Sequence, residues 1–129
     1  MKRTPVLIPL FLIILILAGC SNQVTTEFLL EGKWLATAGY EDGEIIGEPN
    51  CSYIEGLTFK DENTVYLHSF ESDYEYSLDD SFDNAELIMR DGVDALIFET
   101  IFIDEDSFAI VGKGLDDEQH CYLERQIDD

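Results

Sequence analysis

"TVYLHSFESDYEYSLDDSFDNAELIMRDG", residues 64–92, holds three short runs in which apolar and polar side chains alternate. Val65 and Leu67 fall on one face, with Tyr66 and His68 on the other. Tyr74, Tyr76 and Leu78 oppose Glu75 and Ser77, and Ala85, Leu87 and Met89 oppose Glu86 and Arg90. A period of two is the pattern of a strand with one buried face. The breaks between runs are Ser72-Asp73, Asp79-Asp80-Ser81 and Asp91-Gly92, residue types that favour turns. Asp-Gly in particular suits a tight hairpin.

The same alternation extends in both directions. Upstream, "GLTFK" pairs Leu57 with Phe59, and Asp61-Glu62-Asn63 follows as a turn. Asp42-Gly43 marks another turn. Downstream lie "DALIFETIFID", "SFAIVGK" and "HCYLERQ", divided by Asp104-Glu105-Asp106 and Asp116-Asp117. "DALIFETIFID" is apolar on both faces, so it is expected to be covered on both sides or to lie at a closure. After Gly32 the chain offers about eight short strands, with no helical pattern of 10–15 residues between them. The fold class is therefore all-β, a small antiparallel up-and-down barrel of about eight strands, with an open β-sandwich as the alternative. Residues 24–31, "VTTEFLLE", suit one helical turn at the barrel mouth, capped by Thr25 or Thr26.

The chain has 129 residues, 28 Asp and Glu against 7 Lys and Arg, and a formal net charge of −21. This charge excludes nucleic acid, whose phosphates must be met by Lys and Arg, and disfavours anionic lipid heads. A charged partner is expected to be a cation or a basic protein. The acids are spread over many turns, which also fits a solvated surface that keeps the domain soluble. Fifteen aromatic residues argue against a disordered acidic tail.

The front end reads differently. Lys2 and Arg3 precede "VLIPLFLIILILA", residues 6–18, an uncharged stretch of signal-peptide length and short for a membrane span. Leu17-Ala18-Gly19-Cys20 resembles the lipobox of bacterial lipoproteins. That resemblance implies cleavage before Cys20, a diacylglyceryl thioether on its sulfur and an acylated new amino terminus. Two or three acyl chains anchor a protein stably where one does not. The expected organisation is a signal peptide at 1–19, a lipidated cysteine and tether at 20–28, and a β domain at 29–127. The expected place is the outer face of the cell membrane, or the outer membrane if the cell has two.

"EGKWLATA", residues 31–38, carries Gly32-Lys33-Trp34 and the only tryptophan. Together with the eight-strand pattern it resembles the Gly-x-Trp that opens the first strand of lipocalins. The resemblance implies that the Trp34 indole closes the barrel floor and that Arg125, in the last strand, crosses its face. Two departures argue against a roomy cavity. The Thr-Asp pair before a tyrosine is reduced to Asp73-Tyr74, and the chain is too short for a helix after the barrel. Trp34 is expected to plug the core and not to touch a ligand.

With Cys20 committed to lipid, Cys51 and Cys121 remain. An extracytoplasmic setting permits a disulfide between them, the alternatives being two inert thiols or a redox pair without a Cys-x-x-Cys. In a closed meander the first strand lies between those two cysteines, so a bridge must span the barrel end or reach from a loop. His68 and His120 lack the ligand spacing of a metal site, and no calcium loop, nucleophile elbow or phosphate loop is present. No enzyme activity, metal or cofactor is expected. The expected role is a lipocalin-like module that binds a small apolar ligand or an envelope partner, or alternatively a structural protein with a filled barrel whose acidic surface engages a basic protein or cations.

Overall fold

The computed structural model describes residues 23–30, 32–114 and 119–126. Cys20 and the signal segment lie outside the described residues, as does Ile127 at the expected domain boundary. One short helix and ten strands follow in order. They are α1 (Thr26–Leu30), β1 (Lys33–Ala38), β2 (Tyr40–Glu41), β3 (Glu44–Ile45), β4 (Gly56–Phe59) and β5 (Thr64–Leu67). Then come β6 (Ser72–Asp79), β7 (Glu86–Asp91), β8 (Asp94–Asp104), β9 (Ser107–Gly112) and β10 (His120–Gln126).

Eight strands close a barrel in the order β1-β10-β9-β8-β7-β6-β5-β4, every neighbour antiparallel. Closure runs through β1. Trp34 is level with Arg125 on one side and with Leu57 on the other. Antiparallel closure gives the barrel two distinct ends. The start of β1, the end of β10 and the turns at 60–63, 80–85 and 105–106 define the floor. Residues 39–55, 68–71, 92–93, 113–114 and 119 define the distal end.

The alternation reads directly onto the wall. Val65, Leu67, Tyr76, Leu87, Met89 and Phe98 enter one buried cluster with Trp34, Leu57, Phe59, Phe108, Ile110 and Leu123. Thr100 is the buried polar residue of β8. Its hydroxyl and its amide both donate to the Ala85 carbonyl, at 2.7 and 2.9 Å, so burial leaves no orphaned group.

Strand β8 differs from expectation. It is neither covered by another layer nor at the closure but sits mid-wall, between β7 and β9. Its outward Ile97 and Ile101 are half-buried sideways, level with Ile88 and Ala109 on the adjoining strands. Cross-strand packing on the outer surface accounts for its second apolar face.

The two hairpins with Asp-Gly use different turns. Asp42 and Gly43 both have positive φ (50° and 81°) and link β2 to β3 as a type I′ pair would. In the β7–β8 hairpin Asp91 pairs with Asp94, so Gly92 occupies the first loop position, with φ 68°. Positive φ at that position alone is the type II′ arrangement. The β2–β3 ribbon was not legible as strands, since two residues a side are too few to show a period.

Cys51 and Cys121 form a disulfide with Cα atoms 5.8 Å apart and 70 residues of separation. The distal loop carries Cys51 past the end of β1 to the start of β10, where Asn50 and His120 form a β-bridge. The bridge therefore reaches from a loop, one of the two routes open to it. Removing the bridge as Cys51→Ala/Cys121→Ala should lower unfolding free energy by about 4 kcal/mol in the chain-entropy account. Urea denaturation of the oxidised, reduced and doubly substituted domains checks this.

Floor-end turns are held by carboxylates. Asp61 accepts from the Asn63 and Thr64 amides, Asp79 from the Ser81 hydroxyl and amide, and Asp104 from the Ser107 hydroxyl and the Asp106 amide. These bonds hold each carboxyl below the usual 3.8. The folded state therefore binds fewer protons than the unfolded chain just below that value. The contribution is present above the unfolded pKa and is lost as pH falls through the lower, folded one. Stability measured against pH should drop through the acid range, and Asp61→Asn should flatten that drop.

Candidate functional site

The floor is built first from local sequence. Thr25 caps α1, its Oγ1 accepting from the Phe28 amide at 3.2 Å. One turn later the Leu29 carbonyl accepts the Trp34 indole N–H at 3.0 Å. That bond satisfies the polar edge of a fully buried indole. Phe28 and Phe108 pack on Trp34 with ring centroids 4.9 Å from the indole in each case, the latter edge-on at 82°. Phe102 meets Phe28 at 5.4 Å.

Arg125 crosses this cluster from β10. Its guanidinium carbon stands 4.4 Å from the Trp34 ring centroid and 5.2 Å from that of Phe28. Nε donates to Asp106 at 3.2 Å and Nη2 to the Glu105 carbonyl at 2.6 Å. Gly32 is small for a physical reason. A Cβ there would lie 2.8 Å from Arg125 Cγ, inside van der Waals contact. Gly32, Trp34 and Arg125 are thus one packing unit in which the glycine makes room for the arginine stem.

The other sequence-marked residues do not converge on this unit. Cys51 and Cys121 lie at the distal end, and their disulfide removes Cys121 as a metal ligand beside His120. His120 Nδ1 faces the Tyr40 carbonyl at 2.6 Å, tying the β2–β3 ribbon to β10. His68 faces outward and shares a hydrogen bond with Thr58 Oγ1 at 2.9 Å. Partial burial, then the Lys33 charge, pushes its imidazole below 6.5, against an opposing pull from Glu55. Among the described residues no group of three or more His, Cys, Asp or Glu is placed to hold a metal ion.

At the distal end the structure assembles residues that the strand pattern alone did not single out. Tyr53, Phe70, Tyr74, Asp91, Asp94, Ala95, Leu96 and Gly114 line a cleft of about 460 Å³. The Phe70 ring lies 6.1 Å from Tyr74, nearly parallel at 24°, and 6.0 Å from Tyr53. Burial raises the Tyr74 hydroxyl pKa above 10.0, and the charges of Asp91 and Asp94 add to the shift. The available signal was the alternation itself. Continued along β7 and β8, it puts Asp91 and Asp94 on the inward face with Met89 and Leu96.

Comparison with models of known protein families, with curated proteins and with solved structures found no match. The site is therefore read from its own geometry.

The floor unit makes a specific prediction. Arg125→Ala should cost about 0.5–2 kcal/mol for the lost cation–π contact, with a further loss from the stem packing, read by urea unfolding followed through Trp34 fluorescence. Gly32→Ala should be costly in the native background and distinctly less so in Arg125→Ala. Additive effects in that double-mutant cycle would show that the glycine and the arginine are not coupled.

Proposed function

We propose that the chain is a lipid-anchored extracytoplasmic lipoprotein whose barrel is a solid scaffold for binding a basic envelope protein, without catalytic activity. The observation that carries this reading is the filled interior. Trp34, Phe59, Leu67 and Leu87 are at most 4% exposed and belong to one packed cluster. These positions decide between a barrel that holds an apolar ligand and one that holds only itself. Their packing favours the filled-barrel alternative.

The geometry of the tether supports a direction. Gln23 donates through Nε2 to the Phe82 and Asp83 carbonyls, at 2.9 and 3.0 Å, beside the floor. Three residue steps separate Cys20 from Gln23, a reach of roughly 10 Å at full extension. Lipidation at Cys20 would hold the floor against the membrane and point the distal end outward. Among the described residues, four of the five large apolar side chains that stand exposed belong to that distal end, namely Ile45, Ile46, Phe70 and Val93. Exposed apolar groups among acids form a surface suited to a protein partner with complementary charge.

Two measurements test the proposal. Cys20→Ser should abolish the lipid mass on the amino terminus and release the protein from the membrane fraction of its host. Cross-linking in the host should capture basic proteins, and the association should weaken sharply towards about 1 M salt, where the Debye length is ~3 Å. Capture that salt does not weaken would overturn the electrostatic interface.

A further inference from the structure

We infer that the distal cleft between Tyr53, Phe70, Tyr74, Asp91 and Asp94 is a binding site for an organic cation, the lysine or arginine side chain of a partner protein. The inference rests on the reading of the chain as an interaction module, and it names the residues and the chemistry through which that module would recognise its partner.

Three independent features meet in the cleft. The first is a pair of carboxylates. Asp91 and Asp94 are directly opposed across the β7–β8 hairpin, and their strand positions put both on the inward face at the barrel mouth. Like charges directly opposed in a sheet repel, and both carboxylates stand exposed to solvent. Among the described residues the ion pairs join Lys60 to Asp73, Lys113 to Glu86 and Arg125 to Asp106. None of these ion pairs includes Asp91 or Asp94.

The second feature is an aromatic wall. Phe70, 45% exposed, has the Tyr53 and Tyr74 rings as neighbours, at centroid distances of 6.0 and 6.1 Å. A large ring half in water at the lip of a concave surface is costly unless something covers it, and an ammonium or guanidinium is attracted to such faces. The third feature is rigidity. Tyr53 is fixed from two directions, its amide donating to Gln119 Oε1 at 3.1 Å and its carbonyl accepting from the Ser69 hydroxyl. Gln119 is itself buried, two residues before Cys121, so the Tyr53 backbone is tied to the disulfide end of β10. A preformed site loses less entropy on binding.

Together these features select the ligand. Two carboxylates repel anions, and rings without a positive neighbour give neutral ligands only stacking. A cation on an aliphatic stem uses every part, with its charge at Asp91 and Asp94 and its methylenes along Phe70 and Leu96. The cleft volume of about 460 Å³ accommodates a side chain with its flanking backbone.

The test uses the folded mature domain and three probes, Nα-acetyl-arginine methylamide, Nα-acetyl-lysine methylamide and the neutral Nα-acetyl-citrulline methylamide. Amide chemical shifts are followed by NMR on titration. The two cationic probes should shift Ala95, Leu96 and Gly114 saturably and leave Trp34 at the floor unmoved, while citrulline should bind at least tenfold more weakly. Asp91→Asn/Asp94→Asn should weaken the cationic probes at least tenfold and, by relieving repulsion, leave the domain as stable or more so. Phe70→Ala should weaken binding with both charges intact, which separates a stacked site from bare charge attraction. Asp79→Asn, at the floor, should leave binding of all three probes unchanged.

Shifts spread over the whole acidic surface, equal binding of citrulline, or indifference to Asp91→Asn/Asp94→Asn would each overturn the assignment. Basic partners cross-linked equally by native protein and by Asp91→Asn/Asp94→Asn would leave the interaction reading standing and remove this site from it. Saturable binding of the arginine probe with no basic partner captured in the host would leave the site standing and remove that reading.

Discussion

Strand β1 is hydrogen-bonded along both edges, to β10 and to β4, and the remainder of the molecule depends on that double pairing. Without it the other seven strands form an open sheet with two unsatisfied edges, an invitation to pair with other chains. With it, the inward faces of all eight strands converge on one core. The residue at the centre of the seam is Trp34, level with Arg125 on one side and Leu57 on the other. Closure of the backbone ladder and sealing of the floor are therefore the same event, performed by neighbouring atoms.

The two ends of the barrel are finished by different chemistry. At the floor a helix of five residues lies over the indole and the arginine seals the edge, through packing, charge–ring attraction and hydrogen bonds to Leu29, Glu105 and Asp106. Among the described residues the distal end carries no helix. A long loop is instead held by a covalent bond and by the Asn50–His120 bridge, with Ile54 fully buried beneath it. The floor is densely packed around Trp34. The distal end keeps exposed apolar side chains, opposed carboxylates and a concave surface, so any recognition by this molecule is concentrated there.

Much of the architecture was legible because a barrel wall writes its inside and outside as a strict alternation. The runs around Leu67, Tyr76 and Leu87 identify strand and facing together, and the fold class follows from their number and spacing. Gly32, Trp34 and Arg125 were legible as a unit only through resemblance, since 91 residues separate the tryptophan from the arginine and no local pattern links them. Strand β8 misled for a related reason. Ile97 and Ile101 are buried by lateral neighbours on the same sheet, and periodicity cannot distinguish that from coverage by a second layer. The distal cleft was obscured because its walls come from three separate turns and a loop, whose proximity is a property of the closed barrel and not of any one segment.

Closure by the first and last strands also fixes when the domain can exist. β1 begins at Lys33 and its partner β10 ends at Gln126, so a chain delivered amino terminus first holds a wall of unclosed strands until β10 has emerged. Cys51 waits through the same 70 residues for its partner. Folding is therefore dominated by its longest-range contact, which makes it slow for the size of the chain and leaves hydrophobic edges open in the interval. The dense negative charge then has a use that precedes any binding. It keeps copies of the unfinished chain apart during the time when the barrel has no inside.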